Sequence, residues 1–228
     1  MSAQIVRLKP MDALPSKALI ASEIRSRITS GRLPLGSRIS DKQLAGELDV
    51  SRTPVREALL QLETEGLVVM RPQSGTFVLD LTIEEVREIC AARAILESGA
   101  IRLAAEAGAA DQIGRLGLLV GRAAIALTDG DLASCDELDC QFHEGIVAAG
   151  SNSYLSRAYS GISDKLRALR HRLPRTNDRM ARAIVQHRRI IDLWAAGRID
   201  QATAEINSHV VNVAQLLMTI DADRTSTA

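Results

Sequence analysis

Residues 51–59 read Ser-Arg-Thr-Pro-Val-Arg-Glu-Ala-Leu. Ser51 is suited to cap a helix start, and Arg52 and Arg56 then fall one turn apart on one face. Val55, Ala58, Leu59 and Leu62 fall on the other side, which predicts a packed back. A helix with a buried back and two arginines near its N-terminus suits a DNA major groove. There an arginine fork matches the two acceptors of guanine.

Upstream, Ser40 with Gln43 three residues on predicts a capping box that opens a preceding helix, with Leu44, Ala45 and Leu48 facing inward. Leu48-Asp49-Val50 then serves as the tight turn of a helix-turn-helix. Further back, Ile20, Ile24 and Ile28 recur at helical spacing over residues 17–30, Gly31 supplies the stop, and residues 32–39 read as a loop. Downstream, the β-prone runs 67–70 and 76–79 flank Arg71-Pro-Gln-Ser-Gly75, which predicts a hairpin. A hairpin after a reading helix is a wing, and its tip offers Arg71, Gln73 and Ser74 to phosphate or the minor groove. Arg52 and Arg56 are the candidates for base edges. Ser51, Thr53, Lys42, Arg71 and Gln73 are the candidates for positioning on the DNA backbone.

Residues 1–16 show no clear period and read as a mobile arm before this winged module, which spans 17–80. Asp80-Leu81 is a very short linker. From Thr82, which with Glu85 forms another capping box, the pattern is helical throughout. Six helices are expected at about 82–107, 111–127, 131–149, 152–172, 178–197 and 199–220, with Asp111, Asp131 and Asn152 as N-caps. The fold class is therefore mostly α: an N-terminal winged helix-turn-helix and a C-terminal all-α bundle over 82–222.

The apolar fraction is 46% but only 2% of residues are aromatic, so the core must be aliphatic. Formal net charge is zero. A slight basic excess before residue 80 is balanced after it, so DNA binding must rest on placed residues rather than bulk charge. Cys90, Cys135 and Cys140 lack metal-ribbon spacing and read as reduced core thiols. No apolar run is long enough to cross a membrane and no signal-peptide pattern opens the chain, which points to a cytoplasmic protein without membrane partners.

A second constellation lies in the helical half. Asp139 and His143, four apart, run along the edge of the stripe Leu132, Cys135, Leu138, Phe142, Ile146. His187 falls in line with Ile184, Ile191 and Trp194. His209 falls within Ala202, Ile206, Val213, Leu216 and Ile220. Buried polar groups need partners. A shared divalent metal would serve all four, with zinc foremost and nickel, manganese or iron also suited to imidazole and carboxylate. The alternatives are separately satisfied core histidines and a simple Asp139–His143 pair. His171, between two arginines near a helix end, reads as exposed. The arginine-rich stretch 167–189 reads as a solvated helix face. Arg93 lies on the stripe Ile89, Leu96, Ala100 with Glu97 one turn away. It is either an internal ion pair or a clamp for the carboxylate of a small bound acid.

These residues resemble the GntR family of bacterial transcription regulators, specifically the FadR-like subgroup with a helical FCD effector domain. The N-terminal resemblance runs through Gly31-Arg-Leu-Pro-Leu-Gly36, Leu44-Ala45, Val50–Leu59, Leu62, Glu65-Gly-Leu67 and Gly75-Thr-Phe-Val78. Leu35 departs from it, since proline is expected directly before Gly36. The C-terminal resemblance rests on Arg93, Leu96-Glu97, Asp139, Phe142-His143, Asn152, His187 and His209. It implies Asp139, His143, His187 and His209 as ligands of a divalent metal, and six helices imply the shorter, VanR-like version.

The resulting expectation is a homodimeric regulator, a repressor of a catabolic operon by family habit. It binds a palindromic double-stranded operator and responds to a small carboxylate effector. Arg93 is the candidate effector clamp, with Trp194 and Asn212 as further pocket candidates. Two alternatives compete with it. One is a metal-dependent enzyme using the same three histidines and aspartate. The other is an effector-insensitive DNA binder with a structural helical domain. No general base beyond the ligands is apparent.

Overall fold

The computed structural model describes residues 16–108 and 110–226. The expected arm over 1–16 lies, except for Ser16, outside the described residues. The chain divides into two compact units, one ending at Leu79 and the other beginning at Asp80.

In the first unit, α1 (Lys17–Thr29) is capped by Ser16 and buries Ile20, Ile24 and Ile28, the four-residue stripe of the sequence. It packs on α3 (Arg52–Thr64), which buries Val55, Ala58, Leu59 and Leu62. Between them lies α2 (Asp41–Glu47), where Ser40 Oγ accepts from Gln43 N at 3.2 Å. The expected capping box is only half formed, because the Gln43 amide donates to Glu47 instead (2.8 Å). Ser51 holds the N-cap position of α3 with extended backbone but makes no side-chain cap bond, contrary to expectation. The turn between α2 and α3 passes through Asp49 at φ 51°, a left-handed position that aspartate tolerates better than most residues.

The expected hairpin forms from β2 (Val68–Arg71) and β3 (Gly75–Val78). A further strand, β1 (Arg38–Ile39), was expected to be loop. It pairs antiparallel with β3 and closes a three-stranded sheet in the order β1-β3-β2. Two residues are too few for a readable alternation, so only the edge of β3 reveals it.

The second unit comprises α4 (Ile83–Glu106), α5 (Ala110–Thr128), α6 (Leu132–Ala149), α7 (Ser153–Leu169), a 3-10 turn (Arg170–Arg172), α8 (Asn177–Ala195) and α9 (Ile199–Ser226). The Thr82–Glu85 capping box is complete in both directions. Asp131 and Asn152 cap α6 and α7. Asp111 falls inside the first turn of α5 rather than at its cap. Helix α4 runs along α9, and α5 lies against α6 and α8. The main core cluster is aliphatic apart from Phe142 and Trp194. At Gly150, where the end of α6 meets α4, an added Cβ would stand 3.0 Å from Ala100 Cα, so any larger residue would push the two helices apart by a few tenths of an ångström.

In α9 the core-facing stripe differs from the expected one. Ala202, Ile206, Val210, Ala214 and Leu217 are buried, whereas Val213 and Leu216 are only half-buried. These two residues line a cavity instead.

Candidate functional site

Asp139 and His143 on α6, His187 on α8 and His209 on α9 are all buried and gather at one point. Their ligand atoms lie within 4.8 Å of one another. His187 Nε2 is 3.4 Å from His209 Nε2 and 3.4 Å from Asp139 Oδ1. His143 Nε2 is 3.9 Å from Asp139 Oδ2. Four donors at roughly 2.1 Å around a tetrahedral ion would stand roughly 3.4 Å apart, so this spacing suits a first-row divalent metal.

The surroundings favour the same use. His143 Nδ1 lies 2.9 Å from Glu97 Oε2, and His209 Nδ1 lies 2.9 Å from Gln186 Oε1. These acceptors hold the proton on Nδ1 and leave the Nε2 lone pairs facing the cluster. His143 Nε2 is buried without any hydrogen-bond partner, which is costly unless something else satisfies it. Burial pushes all three imidazoles below their ordinary pKa, so each is neutral and able to donate its lone pair.

Glu97 and Arg93 lie one turn apart on α4. Arg93 Nε donates to Glu97 Oε1 at 2.7 Å, and both are buried, 3% and 0% exposed. Tyr159 also donates to Oε1 (3.2 Å). Burial alone would raise the Glu97 carboxyl, but Arg93 and His143 outweigh it and hold it down at about 2. Burial opposes the charge on Arg93, but Glu97 in turn outweighs it and holds the guanidinium firmly charged. Arg93 Nη2 remains buried with no partner.

A cavity of about 570 Å³ opens against this cluster, and Arg93, Asp139, His209 and Asn212 line it. Trp194, a pocket candidate from the sequence, packs instead among Ala100, Ile190 and Ile206 in the core and does not line the cavity. Its helical phase matches His187, but seven residues carry it about 10 Å further along α8, into the core cluster with Ile190 and Ile191, while His187 stacks on Phe142. Sequence reasoning missed Glu97 as the histidine's acceptor, together with Gln186 and Tyr159. It also missed Arg170, which pairs with Asp139 and whose charge is weakened by burial and the neighbouring Arg93, to a pKa of about 9. The stretch 167–189 is less solvated than expected. Arg167 pairs with Glu137 and Glu144, and Arg179 with Asp136. His171 is exposed, as its position suggested.

In the first unit, Arg52 and Arg56 project from the exposed face of α3, 60% and 72% exposed. Arg52 Nη2 donates to both oxygens of Asp41, at 3.0 and 2.9 Å. Arg56 Nε stands 3.7 Å from the same carboxylate. Asp41, unremarked in the sequence, thus orients both guanidinium groups. Lys42, Ser51 and Thr53 are exposed nearby in sequence. On the hairpin, Arg71 stacks over Phe77 (5.0 Å) and Gln73 turns the chain at φ 60°.

Comparison with known proteins identifies the family. Residues 16–78 match the description "Bacterial regulatory proteins, gntR family", and residues 88–212 match the FCD domain. The chain is 31% identical to the Nta operon transcriptional regulator of Aminobacter aminovorans, over 77% of this chain and 81% of that one. It is 29% identical to a protein described as a probable D-xylose utilization operon transcriptional repressor of Paenarthrobacter nicotinovorans, over 86% and 87%. A GntR transcriptional regulator from Rhodococcus sp. RHA1 shares the fold with a TM-score of 0.77 at 20% identity, covering 89% of this chain and 97% of that one. Family and relatives are transcriptional regulators, not enzymes, which removes the metal-dependent enzyme from consideration. Among the described residues no helix is long and apolar enough to cross a membrane.

Proposed function

Because the chain belongs to the gntR family of bacterial regulatory proteins and carries an FCD domain, we propose that it represses a catabolic operon as a cytoplasmic homodimer. The helical unit senses a carboxylate effector through a divalent metal, and each winged unit reads one half of a palindromic operator.

One observation carries the sensing half of this reading. A buried cluster of one aspartate and three neutral histidines, two of them oriented through Nδ1, reaches through Asp139 and His209 the same cavity as a buried arginine with an unpaired Nη2. Asp139, His143, His187 and His209 would hold the ion, with zinc the first candidate. The ion supplies Lewis acidity toward an oxygen ligand. Arg93 receives the acid's carboxylate on Nη2, while Glu97 keeps the guanidinium charged and in place. Asn212 stands near the cavity mouth.

On the DNA side, Arg52 and Arg56 read base edges, with Asp41 holding their forks. Lys42, Ser51, Thr53, Arg71 and Gln73 fix the register on phosphates. A route joins the two functions along the chain. Arg170 pairs with the metal ligand Asp139, and Arg172, two residues on, binds the Leu81 carbonyl (3.2 Å) and the Asp80 carboxylate. Asp80 and Leu81 connect β3 to α4. A ligand that displaces Arg170 therefore shifts the residues that anchor this connection. It alters operator affinity only to the extent that it binds the two states unequally.

The test is fluorescence anisotropy with a DNA fragment from upstream of the gene, using zinc-loaded protein with and without added carboxylic acids. The reading expects at least one acid to weaken operator binding about tenfold or more. Operator binding unaffected by every acid that binds the protein would instead favour an effector-insensitive DNA binder.

A further inference from the structure

The cavity beside the metal cluster is much larger and more apolar than a small acid requires. A cavity of roughly 150 Å³ is enough for a benzene ring, whereas this one measures about 570 Å³. Its floor is polar: Arg93 and His209 are each 3% exposed, Asp139 is buried, and the two further arginines that line it are already paired, Arg170 with Asp139 and Arg179 with Asp136. Its walls are aliphatic. Leu166, Leu169 and Leu173 come from α7 and the turn after it, and Val213, Leu216 and Leu217 from α9. Its rim is exposed, at Arg182 and Val185.

A two- to four-carbon acid on Arg93 would leave most of these walls against water. An apolar body extending from the carboxylate would cover them, gaining about fourfold in affinity per buried methylene. Leu216 and Val213 are turned out of the core stripe of α9 and into the cavity, so the helix spends two large aliphatic side chains on this wall.

We propose that the effector is a monocarboxylic acid with an apolar alkyl or aryl body of roughly eight to sixteen non-hydrogen atoms. Its head sits on the Arg93 and metal floor, and its body lies between the leucines of α7 and those of α9. This rests on the effector reading above and narrows it from small acids to amphipathic ones.

The experiment is isothermal titration calorimetry of the full-length, zinc-loaded protein with acetate, butyrate, hexanoate, octanoate and decanoate, each below its micelle concentration. The expected dissociation constant falls about two- to fourfold per methylene at least to octanoate, with one site per chain and a negative heat-capacity change. Leu216→Trp, checked for unchanged zinc content and melting temperature, should end the gain at a shorter chain. Arg93→Gln should weaken every acid by a similar factor and leave the slope per methylene intact.

Acetate and butyrate binding as tightly as octanoate would overturn the size class while leaving a carboxylate effector standing. Octanol binding as tightly as octanoate, or several sites per chain, would overturn the assignment of the head to Arg93. Binding by no acid in the series would overturn both readings.

Discussion

Glu97 Oε2 lies 2.9 Å from Nδ1 of His143, and the two residues are 46 positions apart on α4 and α6. Through this bond one carboxylate serves two purposes. It fixes the tautomer of a candidate metal ligand, and it neutralises the buried guanidinium of Arg93 with its other oxygen. Neither partner can change without disturbing the other.

Glu97→Gln keeps the shape but removes the charge. Loss of an outer-shell acceptor should weaken metal binding about 10- to 100-fold, measured by chelator competition. It also leaves Arg93 buried and unpaired, which should lower stability by about 3–5 kcal/mol in urea unfolding. The pH dependence has a definite sign. The folded carboxyl is held at about 2 against an ordinary 4.5. Its contribution is therefore full above about pH 4.5 and is lost as pH falls toward 2. The stability gap between wild type and E97Q should narrow over that window. A gap independent of pH would show that the charge is not what matters.

Arg52 and Asp41 form the corresponding pair on the DNA side. Arg52→Ala should cost about 1–3 kcal/mol of operator affinity and relax the preference at one base pair. Asp41→Ala removes the carboxylate that orients Arg52 and Arg56. It should reduce the ratio of operator to random-sequence affinity rather than abolish binding. Lys42→Ala should weaken both about equally and lower the salt slope by about one. Competition anisotropy over single-base operator variants separates these outcomes.

Arg172→Ala removes the grip on Asp80 and Leu81. Operator affinity of the ligand-free protein should stay within about twofold, while the ligand-induced change shrinks. The coupling energy available to such a device is about 1–3 kcal/mol. An undiminished ligand response would place the transmission route elsewhere.

Burial pushes the Cys140 thiol up to about 12, and Cys90 and Cys135 are also raised by burial. All three should resist a thiol reagent such as DTNB at pH 8 in the native state and react fully in guanidinium. Rapid labelling of the native protein would contradict their reading as inert core residues.

Much of this arrangement was readable from the chain. The stripe Ile20, Ile24, Ile28 and the buried back of α3 follow from helical period alone, because their partners lie within one small module. The gathering of Asp139, His143, His187 and His209 was legible because each lies on an apolar stripe, where a polar residue needs a reason. What escaped depends on distant partners. Arg170 and Arg179 read as surface charge because their acidic partners, Asp139 and Asp136, sit on α6, far back along the chain. Asp41 looked like an ordinary first-turn acid until α3 folded beside it. Trp194 shared a stripe with His187, yet it lies two turns, about 10 Å, further along α8 and does not line the cavity.

The claim on which the sensing account depends is that Asp139, His143, His187 and His209 hold one metal ion. Metal analysis of the purified protein, after zinc reconstitution and removal of free ion, tests it directly. The account predicts about one zinc per chain in the wild type, a raised melting temperature on loading, and well under one zinc per chain in His209→Ala. A wild type that retains no metal, or a His209→Ala variant that binds it as tightly, would contradict the account.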